Sequence, residues 1–338
     1  MVKYRILLIC NYKPGVGGIS GQVEILQRKL REEGHTADNF STKGSFLWRL
    51  GLPFRIGRTV KDYDVIHIHC CSGWGFFPAV VGITVSRMLK KRIVLTYHGG
   101  GGERFFDRHP RLVRYYLMRT DHNIVLSGFL AQVFDKHQIP YTIIPNIIEL
   151  DGSHYRERTI VSPSYICVRA HEPLYNIPCI LRAFKKVLTE QPEAMLILVG
   201  DGSQHSNLVE LAKEMQLQHV TFTGRVDNSE IYCHLDRADI MLSAPTVDNM
   251  PVSLLEAMSA GLLVISSRVG GVPYMVEDGK TGLLFDSDDA DCLAERMLWA
   301  VAHTSESLSI VRRARQEVDR YQWTNVKEKL YIAYGIPS

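Results

Sequence analysis

Short apolar runs rich in Ile, Val and Leu alternate with longer helical patterns along nearly the whole chain. In the first half, helical patterns such as 20–33 and 78–89 separate strands that we predict over 4–10, 64–69, 92–97, 122–126 and 141–145. Strands separated by helices pair in parallel, and their continuous apolar character indicates a sheet covered on both faces. The alternation therefore restricts the fold to the α/β class with a doubly wound parallel sheet.

The same pattern starts again in the second half of the chain. Its strands are predicted over 165–168, 195–199, 220–223, 240–243 and 263–266, with helices near 178–190, 207–215 and 229–235. A polar stretch near 150–163 marks the join, and three closing helices are predicted over 289–303, 307–320 and 323–334. We therefore expect two doubly wound Rossmann-like domains, 1–155 and 156–320, followed by a terminal segment over 321–338.

The net charge of +3 conceals an asymmetry between the two halves. Residues 1–155 carry 21 Lys and Arg against 12 Asp and Glu, a balance of +9, and the remainder carries 18 against 24, a balance of −6. A basic half favours partners such as nucleic acid, anionic lipid or a phosphorylated acceptor, although a solvated mixed surface has the same composition. No recognised nucleic-acid motif accompanies the charge, so we expect no nucleic-acid partner.

The seven cysteines are scattered and include no C-x-x-C pair, which is typical of buried thiols in a reducing compartment. The first apolar run, 6–10, is too short for a signal peptide and is interpreted as a strand. No run of about 18 uncharged apolar residues occurs in the sequence. We therefore predict a cytoplasmic protein, with peripheral contact at the inner face of a membrane as an open option.

The most informative motif lies between residues 242 and 285. Pro251 is tolerated in the first turn of a helix, so a helix is predicted over 253–260, directly after Asp248. The free N–H groups at its start form an anion site, and the carboxylates of Asp248 and Glu256 can accept hydrogen bonds from hydroxyls. Phosphate beside hydroxyls indicates a nucleotide sugar. The alternative interpretation places Glu256 on the solvated face of an ordinary helix.

Two loops that follow strands of the first half are rich in glycine. Gly17 and Gly18 precede the first helix, where glycine lets backbone N–H groups approach a phosphate. Their spacing is not G-x-G-x-x-G and no acidic residue ends the second strand, which weakens an oxidoreductase interpretation. His98 precedes four glycines, whose entropic cost indicates a backbone that bends sharply or moves. His67 and His69 share one face of their strand and are interpreted as structural or cleft-lining.

Residues 199–285 resemble the donor-site signature of glycosyltransferase family 4, the retaining GT-B enzymes also described as glycosyl transferases group 1. The resemblance rests on an acidic residue, seven spacers and a glutamate before Ala-Met-x-x-Gly, preceded by Gly-Asp-Gly and Gly-Arg-Val loops. It extends over nearly the whole chain and implies a GT-B fold, in which two Rossmann-like domains face a cleft. The first domain would bind the acceptor, the second would bind the nucleotide-sugar donor, and the last helix would cross back to the first.

The resemblance implies a role for each matching residue. Asp248, His98 and Arg169 would be the catalytic residues. Asp248 and His98 would contact the donor sugar, and Glu256 would hold the ribose. Arg169 would pair with the donor diphosphate, which suits the planar, permanently charged guanidinium. The matching donor-binding positions are Gly17, Gly18, Arg169, Tyr175, Val226, Asn249, Met250, Pro251, Val252 and Glu256.

Two of these positions depart from the family pattern. Asp248 stands where glutamate is usual, and one methylene less shortens the reach by roughly 1.5 Å. Tyr175 stands where a lysine normally contacts the same phosphates, so a neutral hydroxyl replaces an ammonium. The missing charge leaves open a catalytically impaired nucleotide-sugar-binding subunit instead of an enzyme. A nucleotide-sugar epimerase of similar fold is a second alternative.

The activity expected from the resemblance is retaining, metal-independent transfer of a sugar from a UDP- or GDP-sugar to a glycan or lipid-linked acceptor. Such an enzyme would act in cell-surface polysaccharide or glycolipid biosynthesis, with the nucleotide sugar as co-substrate and no other cofactor. Residues 286–289 contain an Asp-x-Asp, but they precede a helix, where acidic side chains cap the N-terminus. We interpret them as a cap and expect no metal.

Two basic segments of the first half are candidates for contact with an anionic surface. Residues 46–58 mix bulky apolar side chains with arginine, as interfacial segments do, although Pro53 and two glycines argue against one long helix. A partly buried loop is the alternative. The second set borders the glycine loop and suits a pyrophosphate-linked lipid; it comprises Arg104, Arg108, Arg111 and Arg114.

Overall fold

The computed structural model describes residues 3–13, 18–45, 51–150 and 155–337. Contacts divide the chain into two compact units. The first unit combines Met1–Ile147 with Tyr321–Ser338, and the second is Ile148–Arg320. The division after Ile147 lies near the boundary expected at residue 155, and the returning segment begins at Tyr321.

The first unit is built on a six-stranded parallel sheet in the order β2-β1-β3-β4-β5-β6. Its strands are β1 Arg5–Cys10, β2 Thr36–Ser41, β3 Val65–Cys70, β4 Arg92–Tyr97, β5 His122–Val125 and β6 Thr142–Ile143. Its helices are α1 Ile19–Glu32, α2 Leu52–Val60, α3 Phe77–Met88, α4 Gly102–Arg108, α5 Pro110–Leu117, α6 Gly128–Lys136 and the terminal α13 Trp323–Tyr334.

The second unit repeats the plan with a parallel sheet in the order β12-β11-β10-β7-β8-β9. Its strands are β7 Ser164–Val168, β8 Met195–Val199, β9 Val220–Gly224, β10 Ile240–Ser243, β11 Leu263–Ser267 and β12 Leu283–Phe285. Its helices are α7 Ile177–Glu190, α8 His205–Glu214, α9 Ile231–Leu235, α10 Val252–Ser259, α11 Ala290–Ala302 and α12 Thr304–Glu317.

Burial on both faces explains the continuous apolar runs. Strand β3, inside the first sheet, is buried at all six positions, and β11 is buried at all five of its positions. Parallel strands covered by helices have no solvated face and therefore no polar alternation. The predicted α/β class with two doubly wound sheets is confirmed.

The terminal helix α13 packs on the first unit. Trp323 and Tyr334 belong to the same buried cluster as side chains from β1, β3 and β4. The indole Nε1 of Trp323 donates to Glu33 at 2.8 Å, and Lys327 Nζ lies 3.0 Å from the same carboxylate oxygen. These contacts lower the pKa of Glu33 and tie the end of the chain to the end of α1.

The structure revises the expectations for the basic segments. Pro53 lies in the first turn of α2, where it breaks no helical hydrogen bond, so Leu52–Val60 forms a helix. Residues 46–50 of the interfacial segment lie outside the described residues. Arg114 donates to the carbonyls of His137 and Gln138 and so serves the end of α6. Across the described residues, no helix has the length and apolarity that a bilayer crossing requires.

All seven cysteines are present as free thiols. Four are fully buried in the sheets and helices, as expected, whereas Cys233 is exposed. Burial raises the pKa of Cys10 to about 12, which keeps this thiol protonated and unreactive.

Candidate functional site

The second unit brings Arg169 and Asp248 together at the carboxyl end of its sheet. Arg169 directly follows β7, and Asp248 lies five residues beyond the end of the neighbouring β10. The Arg169 Nη2 atom is 3.0 Å from Asp248 Oδ2 and 3.2 Å from Ser243 Oγ. The Arg169 side chain is only 9% exposed, so the guanidinium is held in a largely desolvated position.

Two glycines allow the loops that carry this pair to approach. Gly200 has a φ of +139°, and a Cβ there would overlap the carbonyl oxygen of Arg169. Gly270 has a φ of +52°, and a Cβ there would overlap the carbonyl oxygen of Asp248, which accepts a hydrogen bond from Gly271 N at 2.9 Å. Both positions therefore require glycine for conformation and for space.

Tyr175 packs against the guanidinium of Arg169. The Arg169 Cζ atom is 5.0 Å from the centre of the Tyr175 ring, within the range of a cation–π contact. The turn that carries Tyr175 is tied to the Asp248 loop, because Thr246 N donates to Leu174 O at 2.9 Å. Burial raises the pKa of Tyr175, so its hydroxyl remains neutral.

Helix α10 begins at Val252, directly after the Asp248 loop, as predicted. Asn249 N donates to Asp248 Oδ1 at 2.8 Å, and Met250 and Pro251 are buried before the first turn. The backbone N–H groups of the first turn therefore begin four residues after Asp248 along the chain.

Glu256 lies in the second turn of α10 and is not on an ordinary solvated face. Burial raises the pKa of Glu256 to about 7, and the positive charge of Arg169 partly opposes this rise. A carboxyl group with this pKa exchanges between donor and acceptor forms near neutral pH.

The loops after β8 and β9 adjoin the Arg169 loop. Gly200 N donates to Gly224 O at 3.0 Å, and His171 N donates to Asp201 O at 3.0 Å. Val226 follows the end of β9 by two residues, on the same edge of the sheet. The structure thus gathers the predicted positions of the second unit on one edge.

In the first unit, Gly18 and His98 follow β1 and β4. Gly18 is the residue before α1 and has a φ of +67°, which glycine adopts without strain. Gly17 lies outside the described residues. One turn further along α1, Gln22 exchanges two hydrogen bonds with the backbone of Ile147, at 3.0 and 2.8 Å.

Two of the four glycines after His98, Gly99 and Gly102, serve close packing. None of Gly99–Gly102 has a positive φ, so a sharp left-handed bend is not their reason. A Cβ on Gly99 would lie 2.9 Å from Ser72 Oγ, and one on Gly102 would lie 3.1 Å from the Tyr97 ring. The loop is therefore pressed onto the neighbouring strand end, which the sequence did not reveal.

His98 contacts His69, a partner that sequence reasoning did not assign to it. The His98 Nε2 and His69 Nδ1 atoms are 3.0 Å apart. Burial lowers the pKa of His98 to about 4, so its ring is neutral at physiological pH. The only sequence signal for this contact is that His69 and His98 end or follow neighbouring strands, β3 and β4.

The acidic run at 286–289 is a helix cap. The Asp289 side chain accepts hydrogen bonds from the backbone N–H groups of Asp291 and Cys292, at 3.1 and 2.9 Å. Asp288 Oδ1 accepts from Asn176 and from Arg182. Within the described part of the chain, no three His, Cys, Asp or Glu side chains are arranged to hold a metal ion.

Two family profiles match the chain. "Glycosyl transferases group 1" matches residues 162–317, and "Glycosyltransferase Family 4" matches residues 27–151. Together they span most of both units, including Arg169, Asp248 and Glu256 in the first match and His98 in the second.

Relatives and solved structures agree with the profiles. The N-acetyl-alpha-D-glucosaminyl L-malate synthase of Bacillus anthracis is 24% identical, over 94% of this chain and 92% of its own length. The phosphatidyl-myo-inositol mannosyltransferase of Mycolicibacterium smegmatis is 28% identical, over 98% and 93%. The structure of Anabaena HepE in complex with UDP and glucose has a TM-score of 0.79 at 17% identity, covering 98% of this chain and 99% of HepE. The chain belongs to the group 1 glycosyltransferases and is an enzyme that transfers sugars on a GT-B fold.

Proposed function

We propose that this enzyme is a retaining, metal-independent glycosyltransferase that uses a UDP- or GDP-sugar. The observation that carries the proposal is the ion pair between Arg169 and Asp248 beside the N-terminus of α10, with Glu256 one turn further on. This arrangement offers a fixed cation and free N–H groups to phosphate, and carboxylates to hydroxyls.

The diphosphate would take the place that Asp248 now occupies on Arg169. Phosphate oxygens accept both arms of a guanidinium, and the released carboxylate of Asp248 can then accept hydrogen bonds from the sugar. The family pattern also gives His98 a contact with the sugar and Glu256 a contact with the ribose. The remaining donor contacts would come from Gly17, Gly18, Tyr175, Val226 and residues 249–252.

The reaction breaks the bond between the anomeric carbon and the diphosphate oxygen. Arg169 and the α10 N-terminus would stabilise the charge that develops on the departing diphosphate. The acceptor hydroxyl oxygen would bond to the anomeric carbon from the same face, and its proton would pass to a diphosphate oxygen. This route needs no nucleophilic carboxylate and retains the anomeric configuration.

The acceptor is proposed to be a glycan or a lipid-linked molecule in cell-surface polysaccharide or glycolipid synthesis. The first unit, which is basic in sequence, exposes Phe54 to 76% and Trp74 to 85%, and Arg55 and Arg58 are also exposed. The M. smegmatis relative is named for a phosphatidyl-inositol acceptor. Peripheral contact with an anionic membrane at the inner face would follow from these features.

A panel of UDP-, GDP- and ADP-sugars tests the donor by thermal stabilisation. A ligand that binds only the folded protein raises the melting temperature with concentration. We expect one UDP- or GDP-sugar to do so, and transfer to an acceptor analysed by NMR should give a product with the donor's anomeric configuration. A product of inverted configuration would exclude the retaining mechanism, and conversion of the sugar without an acceptor would favour the epimerase.

Tyr175 supports a second candidate, a nucleotide-sugar-binding subunit of low activity. Its ring covers Arg169 but adds no positive charge. Tyr175→Lys should raise the affinity for the nucleoside diphosphate by about tenfold, since one charge-assisted hydrogen bond contributes about 1.5 kcal/mol. Tyr175→Phe is the control: it keeps the ring beside Arg169 but loses the hydroxyl proposed to contact the donor, so it should bind no more tightly than the wild type. If the wild type binds a nucleotide sugar but transfers nothing until lysine is restored, the binding subunit is favoured.

Binding to vesicles tests the lipid acceptor. Wild-type protein should sediment with anionic vesicles and less with neutral ones, and salt should weaken the interaction. Replacing Phe54 and Trp74 with serine should reduce sedimentation while Leu112→Ser, on the exposed side of α5, serves as the control. Equal sedimentation with both vesicle types would contradict an anionic membrane partner.

A further inference from the structure

Three histidines of the first unit form a stacked series, which we call the histidine ladder: His67, His69 and His98. The rings of His67 and His69 lie 4.1 Å apart between centres, tilted by 35°, on one face of β3. The rings of His69 and His98 lie 5.3 Å apart and are nearly parallel, at 30°. The ladder leads from the buried sheet to the half-buried His98 at the strand end.

The inner member of the ladder is fixed on both ring nitrogens. His67 Nδ1 is 2.8 Å from Tyr334 Oη, and His67 Nε2 is 2.7 Å from Thr96 Oγ1. The histidine is 1% exposed, so rotation of its ring would leave buried polar groups unpaired. His67 therefore provides a rigid surface on which the ring of His69 stacks.

The middle member has one bonded nitrogen and one unpaired nitrogen. His69 Nδ1 is 3.0 Å from His98 Nε2, whereas His69 Nε2 is buried and has no hydrogen-bond partner among the described residues. Because a neutral imidazole carries one proton, either nitrogen of His69 can hold it. A proton on Nε2 would create a buried, unpaired N–H, which is rarer in folded proteins than an unpaired acceptor.

The protonation states of the neighbouring rings are coupled through the shared hydrogen bond. If His69 carries its proton on Nδ1, this N–H donates to His98 Nε2, and His98 must hold its own proton on Nδ1. Burial lowers the pKa of His98 to about 4 and that of His69 well below its ordinary value, so both rings are neutral near pH 7.

We propose that His69 is a positioning residue that holds His98 as the Nδ1–H tautomer, so that His98 offers a hydrogen-bond donor to a hydroxyl oxygen of the sugar. The inference rests on the proposed function for the identity of the ligand. The coupling between the two rings does not depend on it. A free neutral histidine favours the Nε2–H form, so the ladder reverses the intrinsic preference of His98.

Nitrogen-15 NMR of the histidine rings tests the tautomer directly. In the wild type, His98 should show the proton on Nδ1. His69→Asn carries its amide near the position of Nδ1 and can still donate to His98, whereas His69→Gln carries its amide one bond further, near the position of Nε2. We expect the Asn variant to keep the Nδ1–H form of His98 and the Gln variant to shift it towards Nε2–H.

The Asn and Gln variants are both polar and uncharged, so we expect them to lose a similar amount of unfolding free energy. A difference between their His98 spectra then reports the tautomer and not a difference in folding. His122→Gln serves as a control away from the histidine ladder, because His122 lies at the amino end of β5 and forms a hydrogen bond with Thr142. With the donor identified by thermal stabilisation, His69→Gln should lower kcat by about tenfold, with a smaller change in KM. His69→Asn should retain most of the wild-type kcat.

Two results would overturn the inference: an Nε2–H form of His98 in the wild type, or an unchanged His98 spectrum in His69→Gln. If no nucleotide sugar stabilises the wild type, the proposed function fails, and with it the sugar as ligand of His98. The NMR result distinguishes this case, because it reports the coupling between the rings without any ligand.

Discussion

Each unit places its candidate functional residues at the carboxyl ends of its own strands, but the chemistry of these residues differs between the two units. In the second unit, Arg169 and Asp248 form an ion pair, and Glu256 titrates near neutral pH. In the first unit, the histidine ladder is neutral and is held by stacking and hydrogen bonds. Charge therefore distinguishes the carboxyl edge of the second unit from that of the first.

The way each edge is held also differs. Glycines press the backbone of the second unit's loops together, at Gly200 and Gly270. The histidine ladder instead depends on side chains, since His67 is fixed by the hydroxyls of Thr96 and Tyr334. The second site should therefore be sensitive to added volume, whereas the first should be sensitive both to added volume at Gly99 and to the loss of a single polar atom.

Removal of the Arg169 charge should produce the largest effect. Arg169→Gln keeps a hydrogen-bond donor but removes the cation proposed to stabilise the departing diphosphate, and kcat should fall by about 10²–10³-fold. Arg182→Gln, which breaks an exposed ion pair with Asp288 in the same unit, is the control and should have little effect. A less than tenfold loss in Arg169→Gln would mean that charge does not distinguish the second site from the first.

Replacing Gly270 with alanine should disturb the Asp248 loop in two ways: through strain at its positive φ and through overlap of the added Cβ with a neighbouring atom. Gly270 and Gly279 both have positive φ values, of +52° and +73°, but only at Gly270 would a Cβ overlap a neighbouring atom. Each substitution to alanine should cost about 1–2 kcal/mol of unfolding free energy through backbone strain. Gly270→Ala should in addition lower kcat by at least about tenfold, through displacement of Asp248.

Urea unfolding and steady-state kinetics on both variants separate the two effects. An equal loss of kcat in Gly270→Ala and Gly279→Ala would show that strain in the second unit, and not the contact with Asp248, controls turnover.

The strands were predictable because they are buried on both faces, which leaves an uninterrupted apolar run in the sequence. Strand β4, for example, matches its predicted range of 92–97. Helix α2 was not predicted as a helix, because Pro53 and two glycines obscure its pattern. In the structure, Pro53 lies in the first turn, where proline is tolerated. Local patterns therefore determine the sheets better than the helix starts.

The candidate site was predictable where a motif is local and hidden where it depends on distant contacts. The start of α10 after Asp248 follows from Pro251 alone. The contact between His67 and Tyr334 joins residues 267 positions apart, and no periodicity reports it. The overlap that excludes a side chain at Gly270 likewise exists only when two loops have been brought together by the sheet.

The two units should contribute pH dependences of opposite sign to the stability between pH 5 and 8. Burial raises the pKa of Glu256 from 4.5 unfolded to about 7 folded, so the folded state binds the proton more tightly. The contribution of Glu256 to stability is therefore lost as the pH rises from 4.5 through 7, by a free energy on the order of 3 kcal/mol. His98 contributes with the opposite sign, because burial lowers its pKa from 6.5 to about 4 and the unfolded state therefore binds the proton more tightly, so this contribution is lost as the pH falls below 6.5.

Glu256→Gln stays neutral at every pH and provides the comparison. Its melting temperature should exceed that of the wild type by several degrees at pH 8 and by little at pH 5. Glu210→Gln, at an exposed position of α8, should show no such trend. If the difference in melting temperature between Glu256→Gln and the wild type does not vary with pH, Glu256 is not the group that titrates, and this contrast between the units is lost.

Tyr334→Phe should have the smallest effect and sharpens the comparison from the first unit. It removes the hydroxyl that lies 2.8 Å from His67 Nδ1 and leaves that nitrogen buried without a partner, at a cost of about 1 kcal/mol in unfolding free energy. Tyr331→Phe is a matched control on the same helix, because the buried Tyr331 hydroxyl has no hydrogen-bond partner among the described residues. Its removal should be neutral or slightly stabilising in urea unfolding. If both variants lose the same stability, the aromatic packing of α13, and not the hydrogen bond to the histidine ladder, carries the contribution of Tyr334.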